Sequence, residues 1–434
     1  MRSGVGIKPR ARARTFLLAA TLVLLSASHT PAASYAELRA LYSSKQFFEL
    51  RDEVERRRAD DSAEMLFYRG VVANKFNRPD ESIGLVRKFL KEAPRDTEDS
   101  LLKDAHEILL DDYVKTYRYR EASEVSRVLL GRFRRQLDAR QLEDVENAFK
   151  LWAAVADVPR QSVRLNGGSR LRTHRDKAGL VNLPVEVGGR RVSFVFDTGA
   201  NISTVTASFA RQLGFRLIEA DIRVGTITGH KVRARLGVAP EIKVGRASVR
   251  HAVFLVFEDK DLFFPPINYQ INGIVGFPVM EALRQITLTR DGDFVIPPRP
   301  AASAARNMAL DELTPLIAGE YKGRRLTFSF DTGAAASTFY PPFFKAFEQE
   351  VRANSAQRRE RIGGAGGFKE VTAYRVKSLV LTFAGRRAEF ASARVMSDSI
   401  RDDDKYFYGN LGQDLIKQFP SMTLNFDAMS ITFE

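Results

Sequence analysis

Cysteine is absent from the 434 residues of the sequence, tryptophan occurs once, and histidine occurs five times. The absence of cysteine excludes disulfide-stapled folds, thiolate zinc sites, a cysteine nucleophile and the lipid-bearing cysteine of a lipoprotein. The histidines show no metal-ligand spacing, so the sequence predicts no metal site and no cofactor. With 44% hydrophobic and 28% charged residues, the composition is that of a soluble globular protein.

Long hydrophobic runs are also missing, with one exception near the N-terminus. A basic start is followed by the apolar run from Phe16 to Ala27 and then by small residues and Pro31. A run of about 12 apolar residues is too short to cross a bilayer as a helix, and this pattern is typical of a signal peptide. We therefore expect residues 1–33 to be a signal peptide and the mature protein to be exported, periplasmic or secreted, with no stable membrane span. An N-terminal membrane anchor is the alternative.

Acidic residues are in the minority, since 67 Lys and Arg residues against 53 Asp and Glu residues give a net charge of +14. The basic residues are spread along the chain without a recognisable nucleic-acid-binding module, so no nucleic-acid partner is predicted. Asp402, Asp403 and Asp404 lack the ordered spacing of a calcium-binding loop. A solvated acidic turn is predicted there.

Over residues 34–158 the apolar residues recur at helical spacing, which predicts an all-α region. Leu66, Gly70 and Pro94 fall where a tetratricopeptide unit places its leucine or aromatic residue, its small packing residue and its terminating proline. Three more residues suggest a second unit: Tyr113, Tyr119 and Ala122. The region therefore resembles tetratricopeptide repeats. It either docks a protein partner or forms a helical prodomain or spacer, and the sequence leaves both alternatives open.

A 16-residue segment occurs twice in the C-terminal part of the chain. Residues 189–204 read GRRVSFVFDTGANIST and residues 323–338 read GRRLTFSFDTGAAAST, so eleven of the sixteen positions agree at an offset of 134 residues. The surrounding sequence alternates as short strands do. Two homologous β lobes explain this repeat, with predicted bounds of 178–298 and 306–434. A basic, glycine-bearing joint at residues 166–177 is expected to connect them to the helical region.

In both copies an apolar strand ends in Asp-Thr-Gly-Ala, at Asp197 and at Asp331, and a turn further along the chain ends at Gly276 or Gly412. These features resemble the pepsin and retropepsin aspartic peptidases over about residues 178–434. The resemblance implies a multi-domain protein with an all-β bilobal acid-protease fold of the pepsin-like class, preceded by the all-α helical-repeat region. It also implies an aspartic endopeptidase that acts on peptide or protein substrates.

The predicted catalytic residues are Asp197 and Asp331. Two carboxylates a few ångströms apart cannot both be ionised, because like charges raise one pKa strongly. The ionised carboxylate can act as general base on a bound water while the protonated one polarises the scissile carbonyl. Since both residues lie on one chain, a monomer is expected. The alternative function is that of a catalytically inactive peptidase-fold protein that binds peptides or serves as a scaffold.

The resemblance assigns supporting roles to the residues that follow each aspartate. It implies that Thr198 and Thr332 reach across to the opposite loop and hold the dyad together. Gly199 and Gly333 are expected to permit the tight backbone and the close approach of the lobes.

Two further features surround the predicted dyad. Ser203 and Ser337, six residues after each aspartate, either hydrogen bond near the dyad or cap the helices that follow. A glycine-rich segment looks like the substrate-binding flap of the retroviral proteases. The predicted flap residues are Gly363, Gly364, Gly366, Gly367 and Phe368.

Overall fold

The computed structural model describes residues 31–225, 231–364 and 367–434 of the chain. A helical region comes first and a β-rich region follows, as the change in hydrophobic periodicity predicts. Most of the predicted signal peptide lies outside the described residues, and the first helix begins at Pro31. Among the residues described, no helix is long and apolar enough to span a membrane.

Apolar residues at helical spacing produce the helical region, in which each helix packs against the next one in sequence. The Ser62 hydroxyl caps the third helix by accepting a hydrogen bond from the Met65 N–H, and Asp138 forms a reciprocal capping box with Gln141 at the start of the seventh. The helices found in the described part of this region are α1 (Pro31–Ser43), α2 (Phe47–Arg56), α3 (Ala63–Lys75), α4 (Pro79–Glu92), α5 (Asp99–Lys115), α6 (Tyr119–Arg132) and α7 (Ala139–Ala154).

The contact between α3 and α4 depends on a glycine. A Cβ atom at Gly70 would lie 2.5 Å from Cγ2 of Val86, which is closer than non-bonded carbon atoms approach. Gly70 therefore lets the two helices pack closely, and this fits the small packing residue expected at that position.

The first β unit follows the helical region and contains the first copy of the repeated segment. Its strands are β1 (Ser162–Leu165), β2 (Ser169–Arg172), β3 (His174–Arg175), β4 (Val181–Val187), β5 (Arg190–Phe196), β6 (Ser203–Thr206), β7 (Arg216–Gly225), β8 (Lys231–Val238), β9 (Ile242–Val244), β10 (Ala247–Arg250), β11 (Val253–Phe257), β12 (Phe263–Phe264), β13 (Tyr269–Gln270), β14 (Gly273–Val275), β15 (Gln285–Thr289) and β16 (Asp293–Ile296). Two short helices, α8 (Ala207–Gln212) and α9 (Phe277–Glu281), lie between them. In the described residues the main sheet has the order β1-β10-β9-β4-β5-β14-β6-β11-β8-β7, with β3 beside β4.

The second β unit contains the second copy. Its strands are β17 (Met308–Asp311), β18 (Thr314–Tyr321), β19 (Arg324–Phe330), β20 (Thr338–Phe339), β21 (Gln357–Gly364), β22 (Gly367–Phe383), β23 (Arg386–Met396), β24 (Gly409–Leu411), β25 (Ser421–Asn425) and β26 (Ser430–Phe433), with short helices α10 (Pro341–Ala346), α11 (Glu348–Asn354) and α12 (Gln413–Ile416). Its main sheet has the order β17-β18-β19-β24-β20-β23-β22-β21.

Both units have the same central arrangement of strands. In the first unit, β5 pairs in parallel with β14, and β14 pairs antiparallel with β6. In the second unit, β19 pairs in parallel with β24, and β24 pairs antiparallel with β20. The repeat in the sequence therefore corresponds to a repeat in the structure.

A third sheet, in the order β2-β16-β15-β25-β26, combines strands from both units. At its centre β15 and β25 pair antiparallel, with Thr287 directly opposite Thr423. The hydroxyl oxygens of these two threonines are 2.7 Å apart. Equivalent residues of the two units thus meet each other in the shared sheet.

The predicted joint at residues 166–177 is wrong in one respect, because the chain forms β2 and β3 there and β1 just before it. Strand β2 pairs antiparallel with β16, so its backbone groups are satisfied by a strand more than a hundred residues away in sequence. Arg170 and Arg172 point outward from β2 and both form ion pairs with Asp293. The basic, glycine-bearing composition of this segment therefore did not predict the edge strand β2.

Polar contacts attach the helical region to both β units. Lys45, which lies between α1 and α2, forms an ion pair with Asp311 of the second unit, with 2.7 Å between Nζ and Oδ2. On the first unit, the Tyr117 hydroxyl donates a hydrogen bond to the Pro278 carbonyl at 3.2 Å. Helix α7 also packs against β7. The helical region therefore bridges the two units.

We expect opposite effects from a methyl group added at two helical glycines. Gly84→Ala in α4 should stabilise the protein by about 0.5–1 kcal/mol, because glycine weakens a helix and an added Cβ would meet nothing within 4 Å. Gly70→Ala gains the same helix propensity but must displace Val86, and overpacking costs about 1–3 kcal/mol, so a net loss is expected. Urea unfolding followed by fluorescence of Trp152 in α7, the single tryptophan, measures both changes. A stabilised Gly70→Ala protein would contradict the close α3–α4 contact.

Candidate active site

The two Asp-Thr-Gly segments lie at the ends of equivalent strands. The last residues of β5, up to Phe196, are buried, and Asp197 is the next residue. Asp331 follows the buried end of β19 in the same way. The Asp197 N–H donates to the Val275 carbonyl at 3.2 Å, and the Asp331 N–H donates to the Leu411 carbonyl at 2.9 Å. Each aspartate is thus fixed by the glycine turn of its own β unit.

Thr198 and Thr332 cross between the two β units. The Thr198 hydroxyl donates to the Phe330 carbonyl at 2.8 Å and accepts from the Thr332 N–H at 3.0 Å. The Thr332 hydroxyl donates to the Phe196 carbonyl at 2.9 Å and accepts from the Thr198 N–H at 3.0 Å. Both threonines are fully buried, so these four hydrogen bonds form without competition from water.

Glycines allow the two carboxyl groups to come together. A Cβ atom at Gly199 would lie 2.7 Å from Cγ of Asp331, and a Cβ at Gly333 would lie 2.5 Å from Cγ of Asp197. Each glycine therefore packs directly against the carboxyl group of the opposite unit. Any larger residue at either position would force the two carboxyl groups apart.

The two carboxyl groups are half-buried and act on each other electrostatically. Burial raises the pKa of Asp197 well above its ordinary value, and the charge of Asp331 and the hydrogen bond between the two carboxyl groups raise it further. The N–H groups of Gly199 and Gly333 act in the opposite direction but do not cancel this effect. The contact between the two carboxyl groups therefore favours a proton on Asp197.

Of the two roles considered for Ser203 and Ser337, the structure shows hydrogen bonding beside the dyad and not helix capping. The Ser203 hydroxyl accepts a hydrogen bond from the Gly276 N–H at 3.0 Å, and the Ser337 hydroxyl accepts one from the Gly412 N–H at 3.0 Å. Neither serine is the N-cap of the helix that follows, since those positions belong to Thr206 and Tyr340. The serines hold the glycine turns that in turn hold the two aspartates.

The predicted flap lies in the hairpin formed by β21 and β22. Gly363 is paired with Phe368, and Gly364 with Gly367, at the end of this hairpin. Gly366 lies outside the described residues. The first unit has an equivalent hairpin formed by β7 and β8, in which Gly225 is paired with Lys231.

The structure also identifies a residue near the dyad that was not selected from the sequence. Nδ2 of Asn410, in β24, donates a hydrogen bond to Oδ2 of Asp331 at 3.2 Å. The position of Asn410 in the internal repeat is occupied by Ile274 in the first unit. A comparison of the two copies for polar-to-apolar differences next to the aspartates would have found it.

The acidic segment at 402–404 differs from its prediction as a solvated turn. Asp404 is 1% exposed, and its Oδ2 accepts hydrogen bonds from the N–H groups of Ile400 and Arg401, both at 2.9 Å. These bonds stabilise the buried carboxylate. Among the described residues, no group of three or more side chains is placed to hold a metal ion.

Comparison with known proteins identifies the kind of domain that the first β unit forms. Residues 183–279 match the family model described as aspartyl protease. The matched segment runs from within β4 into α9, so it contains Asp197 and the Gly276 turn but not Asp331. No curated protein gives a significant match to the chain. The chain thus contains an aspartic protease-like domain preceded by a helical region.

Removal of one crossing hydroxyl should destabilise the protein. Thr198→Val keeps the side-chain shape but leaves the Phe330 carbonyl and the Thr332 N–H without a partner. Each unsatisfied buried group costs about 1–3 kcal/mol, so for two groups we expect a loss of about 2–6 kcal/mol in the free energy of unfolding. Thr198→Ser retains the hydroxyl and serves as the control. Equal stability of the two variants in urea unfolding would show that the crossing bonds contribute little.

Replacement of Asp197 should change how stability depends on pH. Because the pKa of this group is raised on folding, the folded state is penalised as the pH rises above the ordinary carboxyl value of about 4. Asp197→Asn removes the ionisation while its amide oxygen can still accept the Gly199 N–H. The variant should therefore melt at a higher temperature than the wild type at about pH 7 and gain little at about pH 4. A gain that is constant with pH, or larger in acid, would contradict the raised pKa.

Proposed function

We propose that the protein is an aspartic endopeptidase that hydrolyses peptide bonds with a water molecule activated by Asp197 and Asp331. The observation that carries this proposal is the reciprocal contact in which each Asp-Thr-Gly glycine packs against the carboxyl group of the other unit. The aspartyl protease match over the first β unit supports it. A pair that holds one proton supplies an acid and a base at the same place.

In this mechanism the ionised carboxylate takes a proton from water as the water oxygen bonds to the carbonyl carbon of the peptide. The protonated carboxyl group gives its proton to the carbonyl oxygen, and a tetrahedral intermediate forms. The C–N bond then breaks as the newly protonated carboxyl group gives its proton to the amide nitrogen and the other carboxylate takes a proton from a hydroxyl of the intermediate, so that the pair returns to its singly protonated state. No covalent bond to the enzyme and no cofactor are required.

The hairpin of β21 and β22 is the proposed substrate-binding flap. Glycines at residues 363, 364 and 367 place no side chain between the backbone of this hairpin and a bound peptide, so the peptide can approach the backbone closely. The basic and apolar pattern of residues 1–33 supports export, and the presence of both aspartates on one chain supports a monomer.

The alternative proposal is a peptidase-fold protein without activity, which binds peptides or docks a partner through its helices. It predicts peptide binding without turnover. The helical region resembles tetratricopeptide repeats, and a role in partner docking would be added to either function. Nothing in the geometry of the two aspartates favours inactivity.

The decisive experiment measures cleavage of a denatured protein by the wild type and by two single variants. Asp197→Asn and Asp331→Asn should each reduce turnover by roughly 10³-fold or more, because the two groups act as one unit. Asp291→Asn, an exposed aspartate of the first β unit, is the matched control and should keep full activity. A transition-state-mimicking inhibitor of aspartic peptidases should block the wild type. Saturable peptide binding without cleavage at any pH would favour the alternative.

A further inference from the structure

The two β units differ in the layer directly behind the dyad. In the second unit, Nδ2 of Asn410 donates to Oδ2 of Asp331 at 3.2 Å. The Ser329 hydroxyl donates in turn to Oδ1 of Asn410 at 2.8 Å. Ser329 and Asn410 lie opposite each other in the parallel pairing of β19 with β24. A polar chain therefore runs from Ser329 through Asn410 to the carboxyl group.

The first unit has an apolar pair at the same two positions. Val195 and Ile274 lie opposite each other in the pairing of β5 with β14. Neither side chain can donate a hydrogen bond to Asp197. Both members of the pair differ between the units, so the polar chain from Ser329 to Asp331 replaces an apolar pair. Because Ser329 occupies the amide oxygen of Asn410, the amide nitrogen is directed toward Asp331.

The hydrogen-bond donors around the two aspartates also differ. Oδ1 of Asp331 accepts from the N–H groups of Gly333 at 2.8 Å and Ala334 at 3.0 Å, in addition to the bond from Asn410 to Oδ2. The Asp197 carboxyl accepts the Gly199 N–H at 2.9 Å, and the Gly333 N–H also favours its charged form, so the bond from Asn410 is the main difference between the two groups. Hydrogen bonds donated to a carboxyl group favour its charged form. The surroundings therefore favour a negative charge on one member of the pair.

We propose that Asn410 is a positioning residue that keeps the negative charge of the singly protonated dyad on Asp331 and the proton on Asp197. This inference deepens the proposed function and rests on it. Asp331 is then the general base that takes the proton from water, and Asp197 is the acid that protonates the carbonyl oxygen. Ser329 acts one step further away by fixing the orientation of the Asn410 amide.

Other ionisable groups also face Asp331. Asp197 lies opposite it. Tyr340, the residue after β20, has a phenol that interacts electrostatically with Asp331. Burial raises the pKa of Tyr340, so this phenol remains neutral in the acid and neutral range. Nη2 of Arg401 is 3.5 Å from the Tyr340 hydroxyl, and Asp404 is held beside Arg401. A change at Asn410 leaves all of these groups in place.

The test copies the apolar pair of the first unit into the second with the double variant Ser329→Val/Asn410→Ile. Loss of one hydrogen bond to the charged form should move the acidic limb of the kcat profile upward by about one pH unit. KM at the optimum should change little, because neither residue is placed to contact the peptide. A purely structural role would lower kcat at every pH and leave the limb where it is. Ser329→Ala, a milder change that keeps Asn410, should shift the limb in the same direction by a smaller amount.

A second measurement is independent of activity. The double variant should melt only slightly below the wild type at about pH 4, and the difference should grow toward about pH 7 as the dyad ionises and misses the Asn410 bond. In an Asp331→Asn background this growth should disappear, because the charge is gone. An unmoved acidic limb together with a melting difference that is constant with pH would overturn the inference. If the melting difference between the double variant and the wild type depends on pH but the wild type cleaves nothing, the role of Asn410 is supported and the proposed function is refuted.

Discussion

Four hydrogen bonds donated and accepted by two buried threonines hold together two carboxyl groups that repel each other once both are charged. Thr198 and Thr332 each bond to the backbone of the opposite β unit, and the glycine after each threonine leaves room for the opposite carboxyl group. The neighbouring layers support this contact from behind. Ser203 and Ser337 hold the glycine turns, and the glycine turns hold the backbone of the two aspartates. The repulsion between the carboxyl groups is thus offset by a rigid frame.

The sequence was sufficient to predict the parts of the fold that depend on local pattern. Periodicity separated the helices from the strands, and the repeat located the two Asp-Thr-Gly turns that the structure brings together. Features that depend on distant partners could not be predicted. Ser203 binds an N–H group 73 residues away, so nothing near Ser203 distinguishes this role from helix capping. Strand β2 could not be predicted for the same reason, since its partner β16 lies more than a hundred residues later in the sequence.

A symmetrical backbone frame and an unsymmetrical set of side-chain hydrogen bonds are combined in this site. The backbone around the two aspartates follows the same path in both β units, as the matching pairings of β14 and β24 show. The proposed acid and base catalysis nevertheless requires different protonation of the two groups. The difference is confined to side chains behind the dyad, where Ser329 and Asn410 replace Val195 and Ile274. A change of side chains can therefore alter the chemistry without disturbing the crossing hydrogen bonds.

The hydroxyl contact between Thr287 and Thr423 has a consequence for how such a site changes over evolutionary time. Each threonine meets its own counterpart, as residues do on the two-fold axis of a symmetrical dimer. In a dimer of identical chains, one mutation alters both sides of every such contact at once. In this protein the two sides belong to one chain and mutate separately. One half can therefore acquire a specialised residue such as Asn410 while the other half preserves the original packing.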